Sequence, residues 1–278
     1  MTALNIASHD SSTEAPREAN DYRFEHLNLG LLLGDMRFSR TGLAPGDRLP
    51  DATLLDLDGQ EVSLRSLAAG RPIALVTGST TCPATASAMP DLKGLEERYG
   101  DRVQFVLLQV REAHPGAEVD QPDTLEDKVQ HAQLMRDVYA VGWPVLVDDI
   151  EGTLHRQLDT EPNSLHIIGA DGEILYRALF AGDAGVEKAI AAVAAGEQLT
   201  KKSSQSLLPV LNSVGFMHDT VARAGAGAYL DMVKAAPPMV AAALGARLLP
   251  FVPKKKRGLV LMIAPLLLGV GLIVLVSY

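Results

Sequence analysis

Hydrophobic positions along the chain recur with two periods, one typical of strands and the other of helices. Continuous apolar runs at 73–77 and 102–110 predict buried strands, and apolar residues three and four apart in 83–99 predict a helix. Alternating segments on either side of Asp58-Gly59 and Asp171-Gly172 predict two hairpins. The remaining predicted elements are an amphipathic helix at 123–139, a strand at 144–148 and an Ala-rich helix at 185–195. Strands separated by helices in this order predict an α/β fold, with a mixed sheet flanked by helices on both faces.

The same pattern divides the chain into four parts. Residues 1–44 are predicted to be a flexible N-terminal segment, because they begin with a polar tail that has no periodicity. Within it, the apolar stretch from Phe24 to Phe38 can pack against the domain or lie on a membrane, and the sequence does not decide. Residues 45–196 form the predicted domain, and 197–253 form an Ala/Gly-rich helical linker that can associate with a membrane.

A basic cluster and an apolar run fill residues 254–278. Lys254-Lys255-Lys256-Arg257 precedes 258–276, a run without charged side chains whose length is close to the roughly 20 residues that span a bilayer. Because the basic cluster lies on the N-terminal side of this run, it predicts that the preceding domain faces the cytoplasm. The sequence therefore predicts one transmembrane helix, in a tail-anchored protein whose partner is the membrane bilayer.

Charge and cysteine content narrow the range of functions. The formal net charge of -9 in 278 residues argues against a general nucleic-acid binder. A single cysteine excludes an intrachain disulfide and a cysteine-rich metal site, and the histidines other than His114 show no metal-ligand spacing. We therefore expect no bound metal and no bound cofactor.

The single cysteine, Cys82, stands where the strand at 73–77 passes through a polar turn into a helix. The N-terminal end of a helix carries partial positive charge and free N–H groups, which favour a thiolate. The hydroxyls of Ser79 and Thr81 precede Cys82, and Pro83 suits the first helical position. A lone cysteine can instead be a small buried apolar residue. We favour a reactive thiol with a lowered pKa.

A second candidate pair, Glu112 and His114, follows the strand at 102–110. The carboxyl ends of parallel strands lie at one edge of a sheet, so this pair is expected near Cys82. Residues two apart share a face of an extended chain, and a carboxylate beside an imidazole can form an acid/base pair. Both residues can also be ordinary polar residues of a loop. Together with the thiol, they predict a catalytic site.

Three motifs, in this order and spacing, resemble those of the iodothyronine deiodinases. They are Gly-Ser-Thr-Thr-Cys-Pro at 78–83, Arg-Glu-Ala-His-Pro at 111–115 and Thr-Leu-Glu-Asp-Lys-Val at 124–129. Those enzymes are membrane proteins with a thioredoxin fold that remove iodine from an aromatic ring. The resemblance covers roughly 45–187, and a wider resemblance joins this segment to the redoxins. It implies a thioredoxin-like sheet over this domain.

The resemblance also implies roles for individual residues. Cys82 falls on the catalytic selenocysteine of the family, and Ser79 and Thr81 fall on its supporting hydroxyls. Glu112 and His114 fall on its proton-handling pair. The chain departs from the family at three further positions, where Gln109 replaces a tyrosine, Pro122 a histidine and Phe180 an arginine. The resemblance therefore extends to the residues that carry the chemical reaction. The positions associated with binding the iodothyronine differ.

Thr85 stands where a Cys-x-x-Cys enzyme has its second thiol, so an external thiol must reduce an oxidised Cys82. Glutathione, a thioredoxin-like protein or a second copy of the chain in a homodimer could supply it. We expect a membrane-anchored thiol oxidoreductase that reduces a small molecule, either a halogenated aromatic compound or a peroxide. A thiol transferase acting on protein partners and a non-catalytic scaffold of redoxin fold are the alternatives.

Overall fold

The computed structural model describes residues 22–38, 41–200 and 202–263, which form an eight-stranded mixed sheet with helices on both faces. The strands are β1 Thr53–Leu55, β2 Glu61–Ser63, β3 Ile73–Gly78, β4 Gln104–Gln109, β5 Val145–Val147, β6 Leu165–Ile168, β7 Ile174–Ala178 and β8 Ser203–Ser204. The helices are α1 Leu29–Gly34, α2 Leu64–Ala68, α3 Pro83–Tyr99, α4 Leu125–Tyr139, α5 Thr153–Leu158, α6 Ala184–Ala194, α7 Leu208–Ala224, α8 Ala226–Ala235 and α9 Pro237–Arg247.

The sheet has the strand order β2-β1-β5-β4-β3-β6-β7-β8. Strands β3, β4 and β5 are parallel neighbours, connected through α3 and α4, whereas β6 pairs antiparallel with β3 and turns back as β7. A parallel unit followed by an antiparallel hairpin and a helix is the thioredoxin-like arrangement, so the predicted fold class is confirmed. The predicted boundary at residue 196 is too early, because β8 adds a parallel edge strand beside β7.

Alternate residues of the central strands face opposite sides of the sheet, and each side has its own core. Val76 of β3 packs with Leu92 of α3 and Ile190 of α6 on one side. Leu75, its neighbour in β3, packs with Leu158 of α5 on the other side. All five side chains are buried. The sheet therefore has helices on both faces, as the sequence pattern predicts.

A third core joins the N-terminal segment to the C-terminal helices. Phe24 and Leu27 are buried against Met217 of α7, Met232 of α8 and Val240 of α9. Phe24 and Leu27 thus pack on the protein, whereas Leu29 and Leu33 of the same stretch are exposed. The prediction of a flexible segment is wrong for residues 22–38, and within the predicted linker residues 208–247 form a packed layer of three helices. Apolar burial against helices that are distant in sequence causes both differences.

The basic cluster lies against the protein. Lys254 donates to Asp219 at 2.6 Å, and Lys255 pairs with Asp91 on α3. The helix that begins at Lys254 approaches α7 so closely that a Cβ on Gly258 would lie 2.1 Å from the Leu211 carbonyl oxygen. Among the residues that the structure describes, no helix is long and apolar enough to cross a bilayer. The predicted span at 258–276 lies mainly in 264–278, outside the described residues, and it stays a prediction.

Candidate functional site

Cys82 lies at the N-terminal end of α3, as the sequence predicts. Strand β3 ends at Gly78, a short turn follows, and Cys82 is the N-cap residue with φ -84° and ψ 117°. Pro83 occupies the first turn, where its missing N–H has no partner to lose. The helix then continues through Pro90 to Tyr99.

The Cys82 side chain lies in a small and mostly apolar cavity. The residue is 3% exposed, and the cavity has a volume of about 60 Å³. Other lining residues include Leu32, Met36, His114, Phe180, Met217 and Met239. We call this space the Cys82 cavity. Phe180 contributes an apolar ring to this wall.

The predicted lowering of the Cys82 pKa is wrong. Burial is the dominant effect and raises the pKa of the thiol, because a thiolate loses more hydration than a thiol does. The hydroxyl of Thr85 and the backbone N–H groups of Thr85 and Ala84 oppose burial by stabilising the charged form. The helix N-terminus therefore acts as predicted, but desolvation outweighs it.

The hydroxyl that faces the sulfur is that of Thr85, whereas the hydroxyls of Ser79 and Thr81 bind the loop after β4. Ser79 Oγ accepts from the Ala113 N–H at 3.2 Å. Thr81 Oγ1 donates to Glu112 at 2.6 Å and accepts from the His114 N–H at 3.1 Å. The two hydroxyls thus fix the loop that carries His114 against the turn that carries Cys82.

Glu112 is fully buried and is surrounded by donors. Its carboxylate accepts from the Thr81 N–H at 3.0 Å and from Gln109 Nε2 at 2.9 Å, and its Oε1 lies 3.4 Å from His131 Nδ1. Burial alone would raise the pKa of Glu112, but His131 and Thr81 together hold it below the ordinary value. Glu112 is consequently ionised at neutral pH.

His131, on α4, is the functional residue that the sequence analysis missed. Despite partial burial, Glu112 and the nearby Asp120 and Asp127 raise the pKa of its imidazole. Its side chain is 14% exposed and lies 3.8 Å from Asp120 at the surface. The chain contains Glu112 and His131 nineteen positions apart, so only the packing of α4 beside β4 brings them together.

His114 lines the Cys82 cavity but does not pair with Glu112 through its imidazole. Burial and the neighbouring Arg111 lower its pKa to about 4, so the ring is neutral at neutral pH. Its Nδ1 is buried and has no hydrogen-bond partner in the described part of the chain. The predicted pairing of Glu112 with the His114 imidazole is therefore wrong, and the imidazole beside Glu112 is that of His131. His114 thus lines the cavity as a neutral imidazole with an unpartnered Nδ1 in the described part of the chain.

Arg111 and Asp35 form a buried ion pair next to the cavity. Arg111 Nη2 lies 2.5 Å from Asp35 Oδ1, and the guanidinium stacks 4.9 Å from the ring of Phe24. Asp35 also lines the Cys82 cavity. Across the described ranges, no group of three or more His, Cys, Asp or Glu side chains has a geometry that could hold a metal ion.

The fold and this site define a thioredoxin-like protein with one buried thiol at a helix N-terminus and a neutral histidine beside it. The family model described as iodothyronine deiodinase matches residues 31–185, which is more than half of the 278 residues. The chain belongs to the iodothyronine deiodinase family.

A curated relative is similar to about half of the chain. A thyroxine 5-deiodinase from Gallus gallus is 26% identical over 143 residues, which cover 48% of this chain and 55% of that protein. The chain thus spans about half the length of this curated relative.

Solved structures also align with this chain. A peroxidoxin (BcpB) from Mycobacterium tuberculosis aligns with a TM-score of 0.41 and 21% identity, covering 55% of this chain and 97% of that one. A putative thiol:disulfide interchange protein from Chlorobium tepidum aligns with a TM-score of 0.43 and 16% identity, and the alignment covers 56% of this chain and 98% of that one.

Proposed function

We propose that the protein is a membrane-anchored one-cysteine thiol oxidoreductase that reductively dehalogenates an aromatic compound. The observation that carries this proposal is the placement of Cys82 and His114 in the wall of one apolar cavity. An aromatic ring is compatible with such a lining, and family membership makes a carbon–halogen bond the first bond to consider.

In the first half-reaction, the sulfur of Cys82 attacks the halogen and the aromatic carbon takes a proton. A sulfur–halogen bond forms and the carbon–halogen bond breaks, so the ring is reduced and Cys82 is oxidised to a sulfenyl halide. Because burial keeps the thiol protonated, the thiol supplies the proton that the carbon needs. The neutral imidazole of His114 can accept that proton on one nitrogen and donate from the other.

In the second half-reaction, an external thiol restores Cys82. A thiolate attacks the sulfur, halide leaves, and a mixed disulfide forms. A second external thiol then attacks this disulfide and releases reduced Cys82, so two thiols become one disulfide in each turnover. Of the two candidate reductants, glutathione fits the buried sulfur, whereas a thioredoxin-like protein would need in-line access that the 3% exposure of Cys82 does not provide.

Glu112, Thr81 and Ser79 serve this chemistry as positioning residues. Their side chains hold the loop at 111–115 against the Cys82 turn through hydrogen bonds of 2.6–3.2 Å. Their loss is expected to displace His114 instead of removing a proton carrier. General acid–base assistance of the kind assigned to His114 is worth on the order of 10²–10⁴ in rate.

A peroxide is a second candidate substrate, and the size of the cavity favours it. The cavity of about 60 Å³ is far smaller than the roughly 150 Å³ cavity that holds benzene in a protein core. A hydroperoxide would oxidise Cys82 to a sulfenic acid, and the thiol proton would pass to the leaving oxygen. The same two external thiols would complete the cycle.

The burial of Cys82 argues against a thiol transferase that acts on protein partners. A protein disulfide must approach a thiol in line, which 3% exposure of Cys82 does not allow. The raised pKa of the buried thiol is what a non-catalytic scaffold would also show, whereas the neutral His114 imidazole in the same cavity favours an enzyme.

We propose that the apolar run at 258–276 anchors the protein in a membrane with the domain on the cytoplasmic side. The support is the length of the run and the basic cluster before it. Reporter fusions at Met1 and Tyr278 test this topology in cells. A cytoplasmic signal from the Tyr278 fusion would contradict it.

The activity is tested with the full chain in detergent, excess dithiol, and separate assays for halide release from an iodinated phenol and for loss of hydrogen peroxide. We expect thiol-dependent turnover of at least one substrate, with none in Cys82→Ser and with a reduced rate in His114→Ala. Equal rates for the parent and Cys82→Ser would overturn the proposal. Halide release without peroxide loss would identify the dehalogenase, and the converse would identify the peroxidase.

A further inference from the structure

We propose that helices α7 and α9, which lie beyond the family match, form the wall of the active site that selects its substrate. We call Val210, Met217 and Met239 the methionine wall, after its two methionines. The family match ends at residue 185, whereas these three residues line the same cavity as Cys82 and His114. The inference rests on the proposed function, because it names the part of the chain that sets which apolar molecule that site admits.

The methionine wall is attached to both halves of the site. Arg223 of α7 donates through Nη1 to the Thr80 carbonyl at 2.9 Å, two residues before Cys82. At the end of the same helix, the Ala224 carbonyl accepts from the Glu118 N–H at 3.0 Å, in the loop that follows His114. Helix α7 therefore bridges the thiol turn and the histidine loop, and its position is coupled to the geometry of both.

The chemistry of the methionine wall fits a halogen-bearing ring better than a polar ligand. Ser213 is the polar residue that α7 brings to the cavity, and its hydroxyl donates to the Val210 carbonyl at 2.8 Å within its own helix. The face towards the cavity is consequently thioether and aliphatic carbon. Methionine side chains are polarisable, and their sulfur makes favourable contacts with aromatic rings.

The size of the cavity makes the methionine wall the place where a ring is admitted or excluded. At about 60 Å³ the cavity cannot hold an aromatic ring, which requires a cavity of roughly 150 Å³. Met217 is 3% exposed and Met239 is partly buried. Each has three rotatable side-chain torsions, so rotamer changes at these two residues can enlarge the space without moving the sheet.

The test uses covalent labelling of Cys82, which requires no turnover and is unambiguous because the chain has one cysteine. Rate constants are measured by mass spectrometry on the full chain in detergent, with iodoacetamide as the small probe and N-phenylmaleimide as the aromatic probe. We expect Met217→Ala and Met239→Ala to raise the ratio of aromatic to small-probe rates by at least about tenfold, because one methylene in a pocket discriminates by roughly 10- to 200-fold.

Met232→Ala is the matched control. Met232 is a buried methionine of the same helical layer, 1% exposed, and it does not line the Cys82 cavity. The Met232→Ala variant should lose about as much stability as Met217→Ala, and its ratio of aromatic to small-probe rates should equal that of the parent. If Met217→Ala does not fold, Met239→Ala carries the test alone, since a partly buried side chain tolerates truncation better.

Two results would overturn the inference: an unchanged ratio in both cavity variants, or an equal rise in Met232→Ala. The outcome is separate from that of the proposed function. If the parent protein releases no halide and consumes no peroxide, the proposed function is wrong. If the two methionine variants still shift the rate ratio, the inference about the methionine wall is supported.

Discussion

At Cys82, burial and the helix N-terminus act on one sulfur in opposite directions. The N–H groups of Ala84 and Thr85 and the Thr85 hydroxyl favour the thiolate, yet burial raises the pKa of the thiol above its ordinary value. The Thr85 hydroxyl has no other hydrogen-bond partner in the described part of the chain. It is therefore available to the sulfur whenever negative charge develops there.

Replacing Thr85 with valine should raise the pKa of Cys82 further, because the isosteric side chain cannot donate a hydrogen bond to the thiolate. The pH midpoint of Cys82 alkylation by iodoacetamide measures this. In the parent we expect an alkylation midpoint above the ordinary cysteine value of about 8.5. In Thr85→Val we expect the midpoint to be higher than in the parent. Thr220→Val is the control, since the Thr220 hydroxyl bonds only carbonyls of its own helix. A parent midpoint below 8 would contradict the protonated resting thiol.

His131 should control the protonation of Glu112. In His131→Ala, Thr81 still offsets the burial of the carboxylate but the imidazole no longer does, so the pKa of Glu112 should rise and the Thr81–Glu112 bond should weaken as pH falls. We expect turnover that declines with falling pH in the variant, at pH values where the parent is still flat. Stability should fall by about 1–3 kcal/mol, because the buried carboxylate loses its charged partner and keeps only the donors of Thr81 and Gln109.

Gln130→Ala is the control for His131→Ala, because Gln130 is an exposed neighbour on the same helix. The pH profiles are measured as kcat/KM. Identical profiles for the parent and His131→Ala would show that the Glu112–His131 pair does not influence turnover through its charge.

The sequence identifies Cys82, Glu112 and His114 because each stands at the end of an apolar strand. It does not identify Thr85 and His131 as parts of the site. Thr85 acts through the first turn of a helix, and its role depends on how deeply the sulfur is buried. His131 reaches Glu112 only when α4 packs beside β4. Local patterns predict which residues reach the sheet edge, but the degree of burial that decides their charge is a property of packing.

Among the elements, those with local signals are predicted well and those that depend on distant contacts are not. Thr124 and Asp127 form a capping box at the start of α4, which is a signal contained in the local sequence. Strand β8, two residues long, exists only because β7 offers a free edge. Helix α5 is six residues long and begins after Gly152, a glycine with φ 65° close to Tyr22. Its stability comes from burial against the sheet, so the local pattern does not reveal it.

Helix α7 meets the histidine loop at a contact that only glycine permits. A Cβ on Gly116 would lie 2.3 Å from the Ala224 carbonyl oxygen. Gly116→Ala should therefore displace the loop or the end of α7, with a cost of about 1–3 kcal/mol and a slower turnover. Thermal unfolding and the kcat of the purified variant measure both effects.

Gly227→Ala provides the comparison for Gly116→Ala. Gly227 lies inside α8 and has open space around it, so alanine there should stabilise the helix by up to about 1 kcal/mol. An unaffected Gly116→Ala protein would show that the contact between loop and helix is not required.

For the molecule as a whole, buried neutral histidines couple stability to pH. His166 is fully buried with no hydrogen-bond partner on either ring nitrogen in the described part of the chain, and burial followed by Arg177 lowers its pKa to about 3. The unfolded chain takes up a proton at this residue below pH ~6.5, and the folded chain does not. Falling pH therefore favours the unfolded state at this site. The stability it contributes is present above about 6.5 and is lost as pH falls towards 3.

His166→Met should remove this contribution while filling the same space. Between pH 7 and pH 5 the parent should lose about 2 kcal/mol relative to the variant, at 1.36 kcal/mol per pH unit below 6.5. Urea unfolding at several pH values measures the difference. Ile168→Met, on the same strand, alters packing without changing a titratable group. Its curve of unfolding free energy against pH should be parallel to that of the parent. If the curve of unfolding free energy against pH for His166→Met is also parallel to that of the parent, His166 takes up its proton in the folded protein as it does in the unfolded chain.

The single small cavity at Cys82 has a consequence for turnover kinetics. The substrate to be reduced and the thiol that follows it must use the same space, so the first product has to leave before the thiol enters. Double-reciprocal plots at several thiol concentrations should give parallel lines, the pattern of a ping-pong enzyme. High thiol concentrations should slow the reaction, because thiol then occupies the reduced enzyme in competition with substrate. Intersecting lines would mean that both molecules are bound together and that the thiol reaches the sulfur by another route.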